Sequence, residues 1–273
     1  MKLYRRSDGV TVQSKEAWFH FASLSFDELF READPASWLR SRLSSAAQGP
    51  PEPEPPLLPP LETQEVWAAG VTYTRSREAR MEESEREADI YDRVYCAERP
   101  ELFFKATPHR VVGHGDEVAI RRDSSWNVPE PELALAVNRS GRIFGYTIGN
   151  DMSSRSIEGD NPLYLPQAKI YDRSCALGPC LVLSDEPLPL STEIAIRILR
   201  GGRGEFEGST RLSQMKRTPS ELVDYLCRES SFPDGCYLLT GTGIVPESGF
   251  TLARGDEVRI TIEPIGTLVN RVR

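Results

Sequence analysis

A chain of 273 residues, 39% hydrophobic and 27% charged, is long enough for one large core with a small appended unit and has an ordinary globular composition. Acidic residues outnumber basic ones by 41 to 33, for a formal charge of −8. This disfavours a nucleic-acid backbone as partner, yet allows an anionic small molecule wherever a local cation reverses the sign of one pocket. No stretch approaches the roughly 20 apolar residues of a membrane span. Met1-Lys2-Leu3-Tyr4-Arg5-Arg6 lacks the apolar run of a signal peptide, so a cytoplasmic protein is expected.

Leu3-Tyr4-Arg5 and Val10-Thr11-Val12 flank Asp8-Gly9, the pattern of a hairpin. Ser25-x-x-Glu28 predicts a capped short helix, and Asp34-Pro35 opens another through Trp38 and Leu43. The proline-rich run 49–56 suits only an extended segment. A boundary near residue 62 therefore divides a small N-terminal α/β domain, 1–62, from a main domain, 63–273. Residues 66–71 read as a buried strand. Residues 76–97 are highly charged, with helix-compatible spacing and no Pro or Gly, and fit either a solvated surface helix or a lid that orders over a bound substrate.

Beyond residue 100 short strand-like runs dominate, at 102–104, 117–120, 133–137, 143–148, 180–183, 193–199, 237–239 and 257–262. One helix interrupts them, opened by Thr218-Pro219-Ser220-Glu221 and running from 222 to 227. The whole is an α+β, β-rich mixed fold. Gly241-Thr242-Gly243 lacks the following Lys of a phosphate loop. The cysteines at 96, 175, 180, 227 and 236 are odd in number and form no C-x-x-C pair, so reduced, mostly packed thiols are expected.

The chemistry concentrates in Pro129-Glu130-Pro131-Glu132-Leu133. Residues two apart in an extended chain share a face, so both carboxylates point the same way, and Pro131 keeps the stretch from becoming helix. Asp151 follows the next strand-like run and reaches the same spot if the two strands are neighbours. Three carboxylates make the hard, oxygen-rich site that Mg²⁺ or Mn²⁺ takes. The same spacing also fits an exposed acidic turn with Asp151 as a cap.

The segment Gly145-Tyr146-Thr147-Ile148-Gly149-Asn150-Asp151-Met152-Ser153-Ser154-Arg155 resembles the hallmark segment of the fumarylacetoacetate hydrolase family, and Glu130-x-Glu132-Leu133 resembles its metal-binding strand. Further matches run in order through Leu102-Phe103-Phe104-Lys105, Lys169-Ile170-Tyr171-Asp172, Leu177-Gly178-Pro179, Gly241-Thr242 and Ile265-Gly266-Thr267-Leu268-Val269-Asn270, spanning about 66–273. The resemblance implies the family's mixed β fold, a divalent metal (Mg²⁺, with Mn²⁺ or Ca²⁺ as alternatives) on Glu130, Glu132 and Asp151, and a homodimer or homotetramer.

The family's hydrolases carry G-x-N-Y-x-x-H-x-x-E near the first strand. Here Ser76 stands at the His position and Ala79 at the Glu position, and Ser cannot take up a proton near neutral pH as imidazole does. The runs 70–80 and 157–169 instead resemble the 2-keto-3-deoxy sugar acid dehydratases of the arabinonate (pentonate) type, with Ser156 replacing their usual Asp. The implied reaction takes 2-keto-3-deoxy-pentonate to 2,5-dioxopentanoate through a metal-stabilised enolate. Lys169 is the candidate for proton transfer or, alternatively, a fixed positive charge, and Glu101 is the second acid–base candidate. Thr242, Tyr73, Arg75, Arg155, Tyr164 and Gln167 are candidates for substrate binding. Acylpyruvate hydrolysis, oxaloacetate decarboxylation and a catalytically silent, ligand-binding homologue are the alternatives.

Overall fold

The Asp8-Gly9 turn closes the expected hairpin: β1 (Lys2–Arg6) pairs antiparallel with β2 (Gly9–Ser14), and β3 (Ala17–Phe21) extends the meander. Ser25 caps α1 (Phe26–Arg31) by accepting the Glu28 N–H at 3.3 Å, and Asp34 caps α2 (Pro35–Arg42) by accepting the Ser37 N–H at 2.9 Å. Glu62 completes the first cap from a distance, accepting the Ser25 hydroxyl at 2.7 Å and the Asp27 N–H at 3.0 Å. β4 (Ala47–Gln48) then pairs with β3. The structure, a computed structural model, describes every residue except 52, 54, 55 and 77–87.

Past the proline-rich run come β5 (Glu65–Gly70), α3 (Ala88–Cys96) and β6 (Glu101–Ala106). The charged helix expected over 76–97 is thus seen in its last part; residues 77–87, on which the lid alternative also falls, lie outside the described residues. Three short strands follow, β7 (Val111–Val112), β8 (Glu117–Val118) and β9 (Asn127–Val128). β10 (Pro131–Val137) and β11 (Ile143–Asp151) form the central antiparallel pair. β12 (Ser153–Ser154), α4 (Arg155–Asp160), α5 (Leu165–Lys169) and β13 (Cys175–Leu183) lead on to a second sheet. Its strands include β14 (Glu193–Arg200) and β15 (Arg203–Arg211); α6 (Pro219–Cys227) and β16 (Cys236–Leu239) intervene before β17 (Glu257–Ile262) and β18 (Gly266–Val272).

The large sheet runs β4-β3-β2-β1-β13-β11-β10-β16-β5-β6, with β7 added beside β13. A five-stranded sheet, β15-β14-β17-β18-β8, packs against one of its faces. Leu133, Leu135 and Ile148 of the large sheet meet Ile194, Ile196, Ile260 and Leu268 there in one apolar cluster. On the opposite face Ala134, Ala136, Phe144 and Tyr237 pack with Phe26, Leu29, Phe30 and Leu39 of the N-terminal helices. Alternation along β10 puts Glu130 and Glu132 on this second face, toward the end where α1 and α2 stop covering it.

Residues 1–62 therefore share both sheet and core with the rest of the chain. β1 pairs with β13 through Lys2↔Val182 and Leu3↔Leu181, and the Phe30 ring lies 4.8 Å from Phe144 and 5.2 Å from Tyr237, centroid to centroid. Several elements carry no apolar alternation and were not expected. β15 is a polar edge strand that forms because Gly201 and Gly202, both at positive φ, turn it back on β14. Cys175, Cys180 and Cys236 are buried thiols, as the packing reading expects, and Cys96 is exposed.

Phe30→Ala removes the ring that joins the N-terminal helices to the central strands. We expect a loss of about 3–5 kcal/mol in a single cooperative denaturant transition that includes the main-sheet tryptophan Trp67; a separate early transition for the N-terminal segment would contradict the shared core.

Candidate active site

Glu130 and Asp151 face each other across the central pair: the Glu130 N–H donates to the Asp151 carbonyl at 3.2 Å, and the Asp151 N–H to the Glu130 carbonyl at 3.0 Å. Glu132 lies one alternation further along β10. The result is a trio of carboxylates, each contributing one oxygen within 4.8 Å of the others and each no more than 4% exposed. The acidic-turn alternative fails on this burial. Like charges so close and so dry repel, and burial together with Asp151 and Glu130 pushes the Glu132 carboxyl well above the usual range, against the opposing pull of Lys169 and the Gly241 N–H.

Three buried cations answer the charge. Lys169, at the end of α5, donates from Nζ to Glu130 Oε2 at 2.6 Å, Asp151 Oδ2 at 2.9 Å and Ser153 Oγ at 2.6 Å. Arg155, at the start of α4, donates to Glu130 Oε1 at 2.6 Å. Lys105, from β6, places Nζ 2.5 Å from Asp151 Oδ1 and donates to the carbonyls of Met152 at 3.0 Å and Lys169 at 2.5 Å. The Gly241 N–H meets Glu132 Oε2 at 2.5 Å. Gly241 adopts φ +87°, a conformation that favours glycine, and a Cβ there would also strike the Thr72 hydroxyl.

A small cavity of about 20 Å³ opens beside Glu130 and Asp151. Glu130, Asp151, Lys169, Arg155, Glu101 and Thr242 line it, so most of the expected site residues converge. Glu101 stands opposite Gly70 across β5 and β6, and a side chain on Gly70 would occupy the space of its carboxylate. Tyr73 is buried close to Glu132; burial and that carboxylate raise its phenol's pKa, and its hydroxyl has no hydrogen-bond partner among the described residues. Glu132, Tyr73, Arg75, Tyr164 and Gln167 are not among the lining residues. Arg75 is half-buried beside the lining residue Ser76, whereas Tyr164 and Gln167 are exposed on either side of the lining residue Leu165.

Two lining or supporting residues escaped the sequence reading. Lys105 sits two positions beyond Phe103 and four beyond Glu101, so the alternation Glu101, Phe103, Lys105 was the available signal. Glu158 is buried and lines the cavity three residues after Arg155, the spacing that puts both on one face of α4. Of the three departures from the wider resemblance, Ser76 and Ser156 have places, and Ala79 lies outside the described residues. Ser76 folds its hydroxyl onto its own turn, donating to the Tyr73 carbonyl at 2.7 Å. Ser156 bonds with the Ser124 hydroxyl at 2.8 Å and accepts the Ser125 N–H at 3.3 Å, outside the cavity lining.

A mixed β-sheet fold carrying a buried three-carboxylate cluster with a lysine across it defines the class. The family model described as fumarylacetoacetate (FAA) hydrolase C-terminal matches residues 65–273, and the chain belongs to that family. It is 53% identical over 214 residues to a Haloferax volcanii protein named "Probable 2-keto-3-deoxyxylonate dehydratase", covering 78% of this chain and 73% of that one. It is 49% identical over 218 residues to the 2-dehydro-3-deoxy-D-arabinonate dehydratase of Saccharolobus solfataricus, with the same coverage of 78% and 73%. A solved structure of 2-keto-3-deoxy-D-arabinonate dehydratase, complexed with magnesium and 2,5-dioxopentanoate, superimposes with a TM-score of 0.84 at 36% identity, covering 100% of this chain and 99% of that one.

Three clustered carboxylate oxygens suit a hard divalent cation, and the fit is chemical as well as familial. Lys169→Met leaves the trio with one fewer buried counter-charge. We expect the metal-free variant to lose about 3–5 kcal/mol in denaturant unfolding. Added Mg²⁺ is expected to raise its midpoint more than the wild type's, because the cation supplies the missing charge.

Proposed function

We propose that this chain is a divalent-metal-dependent hydro-lyase that converts a 2-keto-3-deoxy-pentonate to 2,5-dioxopentanoate, with Mg²⁺ on Glu130, Glu132 and Asp151. The observation that carries the reading is the dry carboxylate trio with Lys169 laid across two of its oxygens, set in a chain about half identical to two dehydratases. The cation supplies Lewis acidity at the 2-oxo group, which makes the C3 protons acidic.

The chain's own residues divide the remaining work. Lys169 Nζ is the candidate to take a proton from C3, acting as the neutral amine after its ammonium has given up a proton on metal and substrate binding; in the metal-free chain it lies over Glu130 and Asp151. Glu101, on another wall of the cavity, is the candidate to protonate the departing C4 hydroxyl. Loss of that water gives a C3=C4 alkene conjugated with the 2-oxo group; a proton moved from C5 to C3 then leaves a C4=C5 enol, which tautomerises to the aldehyde by protonation at C4. Arg155 and Thr242, which line the cavity, are the candidates to hold the substrate's carboxylate and oxygens, and Tyr73, buried beside Glu132, is a candidate to support them. Arg75, Tyr164 and Gln167 keep the binding role that the resemblance implies only as neighbours of the lining residues Ser76 and Leu165.

Ser76 supports dehydration over hydrolysis: its hydroxyl is spent on the Tyr73 backbone, and it offers no base with which to activate water for carbon–carbon cleavage. We further read the enzyme as a homodimer or homotetramer. Leu163 and Leu190, 84% and 69% exposed in the single chain, are the large apolar side chains that such contacts would cover.

Incubation with 2-keto-3-deoxy-pentonate and Mg²⁺, followed by mass spectrometry, is expected to show 2,5-dioxopentanoate. EDTA abolishes turnover, and Glu132→Gln lowers it by more than about a hundredfold. Tight Mg²⁺ binding without turnover would sink the dehydratase reading and favour the silent homologue. In the same assay Glu101→Gln is expected to cut kcat by about 10²–10⁴ with a small change in KM, the signature of a proton donor and not of a binding group.

A further inference from the structure

Each carboxylate of the trio has one oxygen held against a different group of the protein, by a hydrogen bond at Glu130 and Glu132 and by an ion pair alone at Asp151. Asp151 Oδ1 is 2.5 Å from the Lys105 ammonium, Glu130 Oε1 takes the Arg155 guanidinium at 2.6 Å, and Glu132 Oε2 takes the Gly241 N–H at 2.5 Å. The three tethers come from three separate places: β6, the start of α4, and the turn after β16. Two of them are full positive charges with almost no exposure. Lys169 lies instead on Glu130 Oε2 and Asp151 Oδ2, the oxygens left over by the tethers.

We infer that Lys105 and Arg155, together with the Gly241 N–H, hold the trio as three single-oxygen ligands and so set the site's preference for Mg²⁺ over Ca²⁺; the inference rests on the metal-centre reading above. A cation chelated by both oxygens of Asp151 would have to approach the Lys105 ammonium, and one chelated by both oxygens of Glu130 would approach the Arg155 guanidinium. Coulomb repulsion at such distances, in a dry site, opposes both. Ca²⁺ takes 6–8 oxygens and commonly draws two from one carboxylate, whereas Mg²⁺ demands a compact octahedron and keeps several positions for water or substrate. Three single oxygens leave three octahedral positions, enough for a chelating 2-oxo acid and one water. Lys105 is a positioning residue in this scheme: its ammonium is spent on Asp151, Met152 and Lys169, and its side chain is wholly buried.

Isothermal titration of the metal-free protein with MgCl₂ and separately with CaCl₂, for wild type and Lys105→Met, tests this without reference to activity. With Asp151 Oδ1 untethered, the preference for Mg²⁺ over Ca²⁺ is expected to fall by about tenfold, mainly through tighter Ca²⁺ binding. Arg155→Met makes the same change at Glu130 and carries the test if thermal unfolding shows that Lys105→Met does not fold. Both affinities dropping together, with their ratio unchanged, would overturn the inference and leave Lys105 a purely structural group. Wild-type protein that binds neither cation would overturn the metal-centre reading itself, and this inference with it.

Discussion

Three carboxylates kept within a few ångströms of each other and out of water are the constraint to which the rest of the site answers. Desolvating even one such charge costs several kcal/mol after relaxation, so the cluster exists only because the fold delivers compensation from several directions. The antiparallel register of β10 and β11 sets Glu130 against Asp151, and the alternation of β10 adds Glu132. Lys105, Lys169 and Arg155 arrive from the outlying strand β6 and two short helices. In the metal-free chain Lys169 acts as a stand-in cation, and the proposed reaction asks the same nitrogen, as the neutral amine, to serve the substrate once a metal takes over its electrostatic task.

This arrangement also reconciles an acidic protein with an anionic substrate. The chain carries net negative charge, and the chamber is lined by Glu101, Glu130, Asp151 and Glu158 as well as by Lys169 and Arg155; on the proposed reading a divalent ion offsets that excess of carboxylates. The charge of the whole chain bears on solubility and encounter; the sign at the reacting atoms is fixed by groups within hydrogen-bond distance.

Much of this was legible in the residues because the relevant signals are local. Glu130 and Glu132 flank a proline in extended chain, Ser25, Asp34 and Thr218 open helices, and Asp8-Gly9 turns a hairpin; in each case the cause lies within a few positions of the effect. Lys105 was hidden for the opposite reason. It ends an apolar run that reads as core, and its purpose is visible only once residue 151 is folded beside it. Glu158 was masked similarly, within a six-residue helix too short to show a periodic face. β15 is held by a glycine turn and its partner strand and not by its own polar sequence. The proline-rich run marks a change in the character of the sequence, and the segments on either side of it share one sheet, a pairing that an extended linker does not reveal. Tyr164 and Gln167 sit beside cavity-lining residues in sequence but turn outward, a distinction that spacing in a short irregular helix does not convey.

The pairing of Lys2 and Leu3 with Val182 and Leu181 gives the first residues of the chain a duty out of proportion to their chemistry. β13 has β11 on one side and β1 on the other, so a protein started at residue 63 would present its outer backbone amides and carbonyls bare over that length. Phe144 and Tyr237 would lose the aromatic cover of Phe30 at the same time. Such a fragment would carry every residue of the proposed chemistry together with an unprotected sheet margin and a greasy patch beside it. Its expected fate at high concentration is self-association, strand against strand, and it would be inactive through precipitation with its catalytic groups intact.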